Sequence, residues 1–434
     1  MNEPPQYYPL TFSQLLVWEG ETVAASHFTH LCILVRLKEA ANVDCWIEAI
    51  GQVVRENEGL RLRMVLQNGD VRQYVSPPDQ PVEVPFLDFS HEKSSEQAAR
   101  TWVEQEIRKR LQIVDSPLFY FAILRLSQKD HRLLLKVHHL VSDGWSMTIL
   151  TEQIFKHYYA LQAGEFLHDP PPTSFVEYIL QQTAPRMLAK ASLFLGYLFE
   201  KMTTAPAAAR IRPELPSGCS VNARRLTFPL PPNLEAQITR FSNSNHSSFY
   251  LFFLSSILLE IALANATQDA AIGTLFHNRL NPAYQNSIGM FNVILPIRVK
   301  VAGDLSFRDL IKRVLAAWKS SIQRQPGRIS LQELTTLYEH AGQLFDVLVS
   351  YESHLPVEPP EWLHGEADLE PISLMITILD YPAGGYDIEF LYRTEQYSQA
   401  DIDVIFQQLL KLWAMLLADP DRKIGELSRS NTLR

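Results

Sequence analysis

Two adjacent histidines, His138 and His139, run into Leu140-Val141-Ser142-Asp143-Gly144 and are the residues of this chain best suited to chemistry. They end an apolar, strand-like run, Arg132–Val137. Neighbouring residues on a strand point to opposite faces, so only one of the two imidazoles should reach a given cavity. That separates them as ligands for one metal, and no other histidine stands at a usual ligand spacing from them; no metal is expected. A single positioned imidazole suits proton transfer, because its pKa lies near neutrality. Asp143 follows on the turn into a helical segment. There it could hold the loop through an ion pair with an arginine, or orient an imidazole. Gly144 removes a side chain and would let a thin substrate come close to the backbone. Gly144-Trp145-Ser146 lacks the second glycine of a nucleophile elbow, and no paired cysteine nucleophile is present, so no covalent enzyme intermediate is expected.

The elements that must carry these residues can be read from periodicity and turn signals. Strands are expected at His30–Leu37, Leu60–Leu66, Val71–Val75, Leu118–Leu126 and Arg132–Val137, the last two joined at Ser127-Gln128-Lys129-Asp130. Helical spacing covers Val43–Asn57, Ser95–Leu111 and Ser146–Ala163. The second of these closes on Arg108, Lys109 and Arg110, as the helix dipole favours. Prolines 170–172 cannot continue a helix and mark the best boundary, dividing the chain into 1–172 and 173–434. Beyond it, helices are expected at Asn233–Ser242, Ser248–Ala264, Phe307–Arg324 and Gln399–Leu417. Strands are expected at Ala271–Leu275, Asn292–Val301, Phe345–Tyr351, Ile372–Ile378 and Tyr386–Tyr392, with Pro382-Ala383-Gly384-Gly385 turning a hairpin. Two α/β (α+β) lobes of similar size follow from this mixture.

Bulk properties exclude several classes. The 434 residues are 46% hydrophobic and 20% charged, which describes a large globular core rather than a disordered chain. A net charge of −9 without long charge runs argues against nucleic acid. Cys32, Cys45 and Cys219 are an odd number, far apart, and fit a reducing compartment rather than a disulfide framework. Residues 1–5 carry neither the basic nor the apolar part of a secretion signal, so a cytoplasmic protein is expected. Phe249–Ala264 is apolar but short for a bilayer, and Glu260 interrupts it; a buried core helix is expected.

The run Val137-His138-His139-Leu140-Val141-Ser142-Asp143-Gly144-Trp145-Ser146 resembles the HHxxxDG motif of nonribosomal peptide synthetase condensation domains, in the chloramphenicol acetyltransferase-like superfamily. Leu10–Trp18 resembles that family's opening motif, Glu58–Met64 its ExLRTRF motif, and Thr173–Tyr178 its helix into the second lobe. Gly273-Thr274, Asn278-Arg279 and Ile288–Asn292 resemble the stretch that ends in GxFVNT, although Phe291-Asn292-Val293-Ile294 displaces the amide and lacks the threonine. The likeness spans nearly the whole chain, in the family's order. Intact histidines set it apart from cyclization and recruitment domains, and the absence of DFGWG from plant-type acyltransferases.

The resemblance implies two acetyltransferase-like lobes in a V-shaped pseudodimer with a central tunnel, His139 at its middle. It implies attack by an amine on a thioester carbonyl, with His139 catalytic and His138 and Asp143 beside it. Gly144, Trp145 and Ser146 would line the phosphopantetheine passage, and Asn292 is a weaker candidate. Asp143 would pair with Arg61 or Arg279. No permanently bound cofactor is implied; substrates ride on phosphopantetheine or coenzyme A. The implied partners are a peptidyl carrier protein, an acyl-CoA or acyl carrier protein donor, and a neighbouring adenylation domain, since Pro420–Leu427 resembles the exit into one. A monomer is expected. The favoured reading is an initiating domain that N-acylates an amino acid. Alternatives are a free-standing chain-releasing or ester-forming acyltransferase and a non-catalytic docking module.

Overall fold

The computed structural model describes residues 5–22, 30–37, 42–165, 167, 172–187, 209–215, 223–323, 345–353, 361–363, 372–381 and 384–427. Two compact units emerge, the first comprising Met1–Leu188, His277–Asn292 and Pro356–Asp368, the second Ala189–Phe276, Val293–Leu355 and Leu369–Arg434. The division expected at 172/173 is therefore corrected: the first unit runs further and takes in two segments from the second half. Packing explains this. The helix Phe175–Gln182 buries Phe175, Tyr178 and Ile179, and both aromatic rings meet Phe291 from the borrowed segment. Residues 168–171, with two of the boundary prolines, and Cys219 lie outside the described residues.

In the first unit, α1 (Phe12–Thr22), α2 (Val43–Glu56), α3 (Glu58–Arg61), α4 (Ser95–Ile107), α5 (Gly144–Ala163) and α6 (Phe175–Gln182) accompany β1 (His30–Leu37), β2 (Leu62–Gln67), β3 (Asp70–Val75), β4 (Phe86–Asp88), β5 (Phe119–Ser127) and β6 (Asp130–His138). With β11 (Glu361–Leu363) from the second borrowed segment they form a sheet ordered β11-β1-β6-β5-β4 and a separate β2-β3 hairpin. The hairpin turns at Asn68-Gly69, both at positive φ, as a two-residue loop of this kind requires. β5 and β6 close at Ser127 and Asp130 as expected. β6 is central, and Leu133, Leu134, Leu135 and Val137 are fully buried, so its two faces are covered like those of a core strand.

Two expectations in this unit are revised. The segment from Leu60 begins as a helical turn, α3, before β2. The helix expected to reach Leu111 stops at Ile107. There the buried Lys136 ammonium of β6 donates to the carbonyls of Glu106, at 2.8 Å, and Lys109. The cation that satisfies this helix end thus comes from another strand, not from the helix's own basic residues.

The strands of the second unit are β7 (Ala223–Pro229), β8 (Asp269–Phe276), β9 (Val293–Lys300), β10 (Val347–Glu352), β12 (Leu374–Asp380) and β13 (Tyr386–Arg393). They form a six-stranded sheet ordered β7-β13-β12-β10-β8-β9. β10 runs parallel to β8 and β12, and the remaining pairs are antiparallel. The expected β12-β13 hairpin is present, with Gly384 and Gly385 at positive φ. Helices α7 (Pro232–Ser244), α8 (Phe249–Ala264), α9 (Phe307–Gln323) and α10 (Gln399–Ala418) pack against it. α8 is the apolar segment that Glu260 interrupts, and it is buried along nearly its whole length. Among the described residues, no single helix is long and apolar enough to cross a membrane.

Gly59, in α3, permits a close approach: a Cβ there would lie 2.1 Å from the Ile288 carbonyl oxygen. Gly59→Ala should therefore destabilise the first unit by about 1–3 kcal/mol through overpacking. Gly51→Ala, mid-helix in α2, would place its Cβ 3.5 Å from Arg55 and meet nothing closer, so it should be neutral or stabilise by up to about 1 kcal/mol. Denaturant unfolding of the two variants checks the contrast, and equal behaviour would contradict it.

Candidate active site

β6 ends at His138, and the next five residues form the loop that enters α5. The two histidines meet different fates. His138 is fully buried. Its Nδ1 accepts the Leu140 backbone N–H at 3.1 Å, so the proton sits on Nε2, which donates to Glu21 Oε2 at 2.6 Å. His139 is half-buried, and its Nδ1 lies 3.0 Å from the Ser142 carbonyl oxygen. A carbonyl can only accept, so Nδ1 carries the proton and Nε2 is the basic nitrogen. The ring is thus oriented by a main-chain carbonyl three residues on, and Asp143 does not take that part.

Asp143 instead caps α5 and anchors the loop. Its Oδ1 accepts the Ser146 N–H at 2.8 Å, and its Oδ2 accepts the Phe291 N–H at 3.0 Å. Arg279 grips both oxygens, Nη1 to Oδ2 at 2.8 Å and Nη2 to Oδ1 at 3.1 Å. Neither side chain of the pair is accessible to water. Burial alone would raise the Asp143 pKa; the guanidinium and the donated hydrogen bonds overcome it and hold the carboxyl below its ordinary value. Arg279 also donates to Ser146 Oγ at 2.7 Å and to the Ser287 carbonyl at 3.3 Å, and stacks 4.1 Å from the centre of the Phe291 ring. Of the two arginines expected opposite Asp143, Arg279 fills the role. Arg61 donates to the Ser76 carbonyl at 2.6 Å instead.

The other expected residues divide likewise. Ser146 is wholly buried and its hydroxyl donates to the Gly289 carbonyl at 2.8 Å, so it braces the loop rather than lining a passage. Gly144 and Trp145 remain half-buried, the Trp145 indole donating to the Gln285 carbonyl at 3.0 Å. Asn292 joins the same assembly through its main chain, whose carbonyl accepts Ser13 Oγ at 2.6 Å. Its side-chain Oδ1 is buried without a hydrogen-bond donor among the described residues.

Three contributors escape sequence reasoning. Glu21 and Gln14 of α1 reach the loop, Gln14 Nε2 donating to the Leu140 carbonyl at 2.8 Å. His30 lies opposite His138 in the β1-β6 register, its ring edge-on at 5.4 Å. Burial foremost, with the Lys136 and Arg110 charges and the neighbouring His138 and His139 rings, pushes the His30 pKa far down, and its Nε2 accepts the Leu111 N–H at 3.2 Å. Gln14 is visible in the sequence only as part of a motif, and no local spacing links residues 21 and 30 to residue 138.

Replacing Asp143 by Asn would leave Arg279 as an uncompensated buried charge. The expected loss is about 3–5 kcal/mol in the unfolding free energy of the first unit. A carboxyl with a depressed folded pKa contributes fully above its ordinary pKa and loses that contribution as pH falls through the folded value. Stability of the parent should therefore fall on acidification through this range, with a shallower fall in Asp143→Asn. Denaturant titrations at several acidic pH values test both statements, and a variant as stable as the parent would contradict them.

Comparison with known proteins shows the family of the chain. Residues 5–432 match the family model described as Condensation domain. The chain is 26% identical to surfactin synthase subunit 1 of Bacillus subtilis (strain 168) over 97% of its length, and 26% identical to a plipastatin synthase of the same organism over 98%. It spans 12% and 17% of those two proteins. Its fold is similar to that of the starter condensation domain of rhizomide synthetase, with a TM-score of 0.80 at 16% identity over 98% of this chain and 99% of that one. A mutant of that domain in complex with C8-CoA and Leu-SNAC also gives 0.80, at 17% identity over 97% and 96%. The first condensation domain of the calcium-dependent antibiotic synthetase gives 0.79 at 19% identity, over 98% and 99%. The chain is therefore a member of the condensation-domain family, the amide-forming domains of nonribosomal peptide synthetases.

Proposed function

We propose that this chain is an initiating condensation domain. It joins an acyl group, presented as a thioester of coenzyme A or of an acyl carrier protein, to the amine of an aminoacyl group on a peptidyl carrier protein. The likeness to a starter domain bound to C8-CoA and Leu-SNAC supports that choice of donor and acceptor. An adjoining adenylation domain and a cytoplasmic setting belong to the same reading.

The observation that carries it is the state of His139. Its Nδ1–H is committed to the Ser142 carbonyl, so Nε2 is the nitrogen able to take a proton from the attacking amine. The amine nitrogen bonds to the thioester carbonyl carbon, and the C–S bond breaks as the thiol leaves. The amine's proton passes to Nε2 and from there to the departing sulfur. The Ser142 carbonyl favours the imidazolium formed between these events, because it accepts from the charged ring. A base of this kind contributes roughly 10²–10⁴-fold. Aligning two tethered reactants can contribute about 7–11 kcal/mol at best, so positioning carries the larger share. His138 and Asp143 act by holding the loop, and Gly144 and Trp145 are the partly accessible residues beside it for a pantetheine arm.

Incubation with octanoyl-CoA and a leucyl thioester, followed by mass spectrometry, should yield the N-acyl amide. His139→Ala should reduce turnover by at least about 100-fold with an unchanged melting profile. Intact-protein mass spectrometry should find no acyl adduct during turnover. Near-parental turnover by the variant, or a covalent acyl-enzyme, would overturn the mechanism.

A further inference from the structure

The His138 ring is spent on its two neighbours, which raises the question of why a titratable side chain occupies a position buried from water. The answer lies in the Leu140 peptide. Its N–H is received by His138 Nδ1 at 3.1 Å, and its carbonyl receives Gln14 Nε2 at 2.8 Å. Both polar groups of Leu140 are therefore held by side chains, and Leu140 stands between His139 and the Ser142 carbonyl that orients it. The turn is closed further by the Val141 N–H on the His138 carbonyl at 3.0 Å.

His138 can receive the Leu140 N–H only while Nδ1 is unprotonated. What enforces that tautomer is the group at the other end of the ring. Glu21 Oε2 lies 2.6 Å from Nε2, and both side chains are nearly or wholly removed from water. An ionised carboxylate accepts and never donates, so it selects the Nε2–H form. Gln14 and Glu21 are seven residues apart on α1, about two helical turns, so one face of this helix supplies the carbonyl's donor directly and the N–H's acceptor through His138.

We propose that Glu21 is a positioning residue for the condensation reaction: by fixing the His138 tautomer it fixes the Leu140 main chain, and with it the turn that presents His139. The proposal rests on the role assigned to His139 above.

The test is Glu21→Gln, in which size and a hydrogen-bonding group are kept. A glutamine amide can donate to Nε2 and so permits the opposite tautomer, which would set His138 Nδ1–H against the Leu140 N–H, donor against donor. The expected result is a fall in kcat of at least about tenfold, comparable to one lost hydrogen bond to a charged group, with KM for both substrates within about twofold. Melting should stay near that of the parent. In ¹⁵N-histidine spectra the His138 signals should leave the Nε2–H pattern. Unchanged kcat, or a loss of activity with the His138 tautomer preserved, overturns the proposal. Glu21→Asp, which keeps the acceptor-only character, should retain more activity than Glu21→Gln; the reverse order also overturns it. Parental activity in His139→Ala would sink the assigned role of His139 instead, and the His138 tautomer in Glu21→Gln would still decide whether Glu21 sets it.

Discussion

Asp143 and Arg279 meet where neither is accessible to water, and much of the site depends on that pair. Burying two opposite charges costs several kcal/mol per ion and is tolerated only when hydrogen bonds complete the geometry. Here the carboxylate accepts from the two terminal guanidinium nitrogens and from two backbone N–H groups. The donors come from two places: the first turn of α5, and the segment His277–Asn292, which supplies both the guanidinium and the Phe291 N–H. One carboxylate therefore joins the start of a helix to an arginine 136 residues away in the chain. The pair's use is specification of the loop rather than net stability, which a well-packed apolar pair could supply as well.

The loop so held divides its polar side chains by task. His138, Asp143 and Ser146 are wholly buried and committed to the protein itself. His139 is the half-buried exception, turned by a main-chain carbonyl so that its basic nitrogen is defined. An imidazole held in one tautomer needs no rearrangement before it accepts a proton, which is the economy of preorganised sites. In the proposed reaction the chemistry asked of it is modest, because an amino-acid amine is already partly neutral near pH 8 and orientation would supply the greater part of the rate.

Much of this is legible in the sequence alone. The apolar runs of β5 and β6, the His138–Gly144 spacing and the helical periods of α2, α8 and α10 declare themselves locally, because burial of a strand or helix face leaves a period in the sequence. The choice of Arg279 over Arg61 does not, since both stand in motif-like surroundings and only tertiary packing brings one of them to Asp143. The end of α4 is hidden for a related reason: Lys136, a residue of a distant strand, satisfies its last carbonyls. The borrowed segments of the first unit, and the reach of Glu21 and Gln14 from α1, rest on pairings at long separation that no window of residues contains. Ser146 reads as a substrate-facing hydroxyl in sequence and proves to be a brace because Gly289 and Arg279 both claim it.

The proposed chemistry turns on which nitrogen of His139 carries the proton in the resting protein. Two-dimensional ¹⁵N–¹H spectra of histidine-labelled protein, with His139 assigned by its absence in a His139→Ala sample, read this directly at neutral to mildly alkaline pH. Protonated Nδ1 and unprotonated Nε2 are the predicted pattern. A neutral ring with its proton on Nε2 would mean that the Ser142 carbonyl does not orient it, and the assignment of His139 as the proton acceptor would be contradicted.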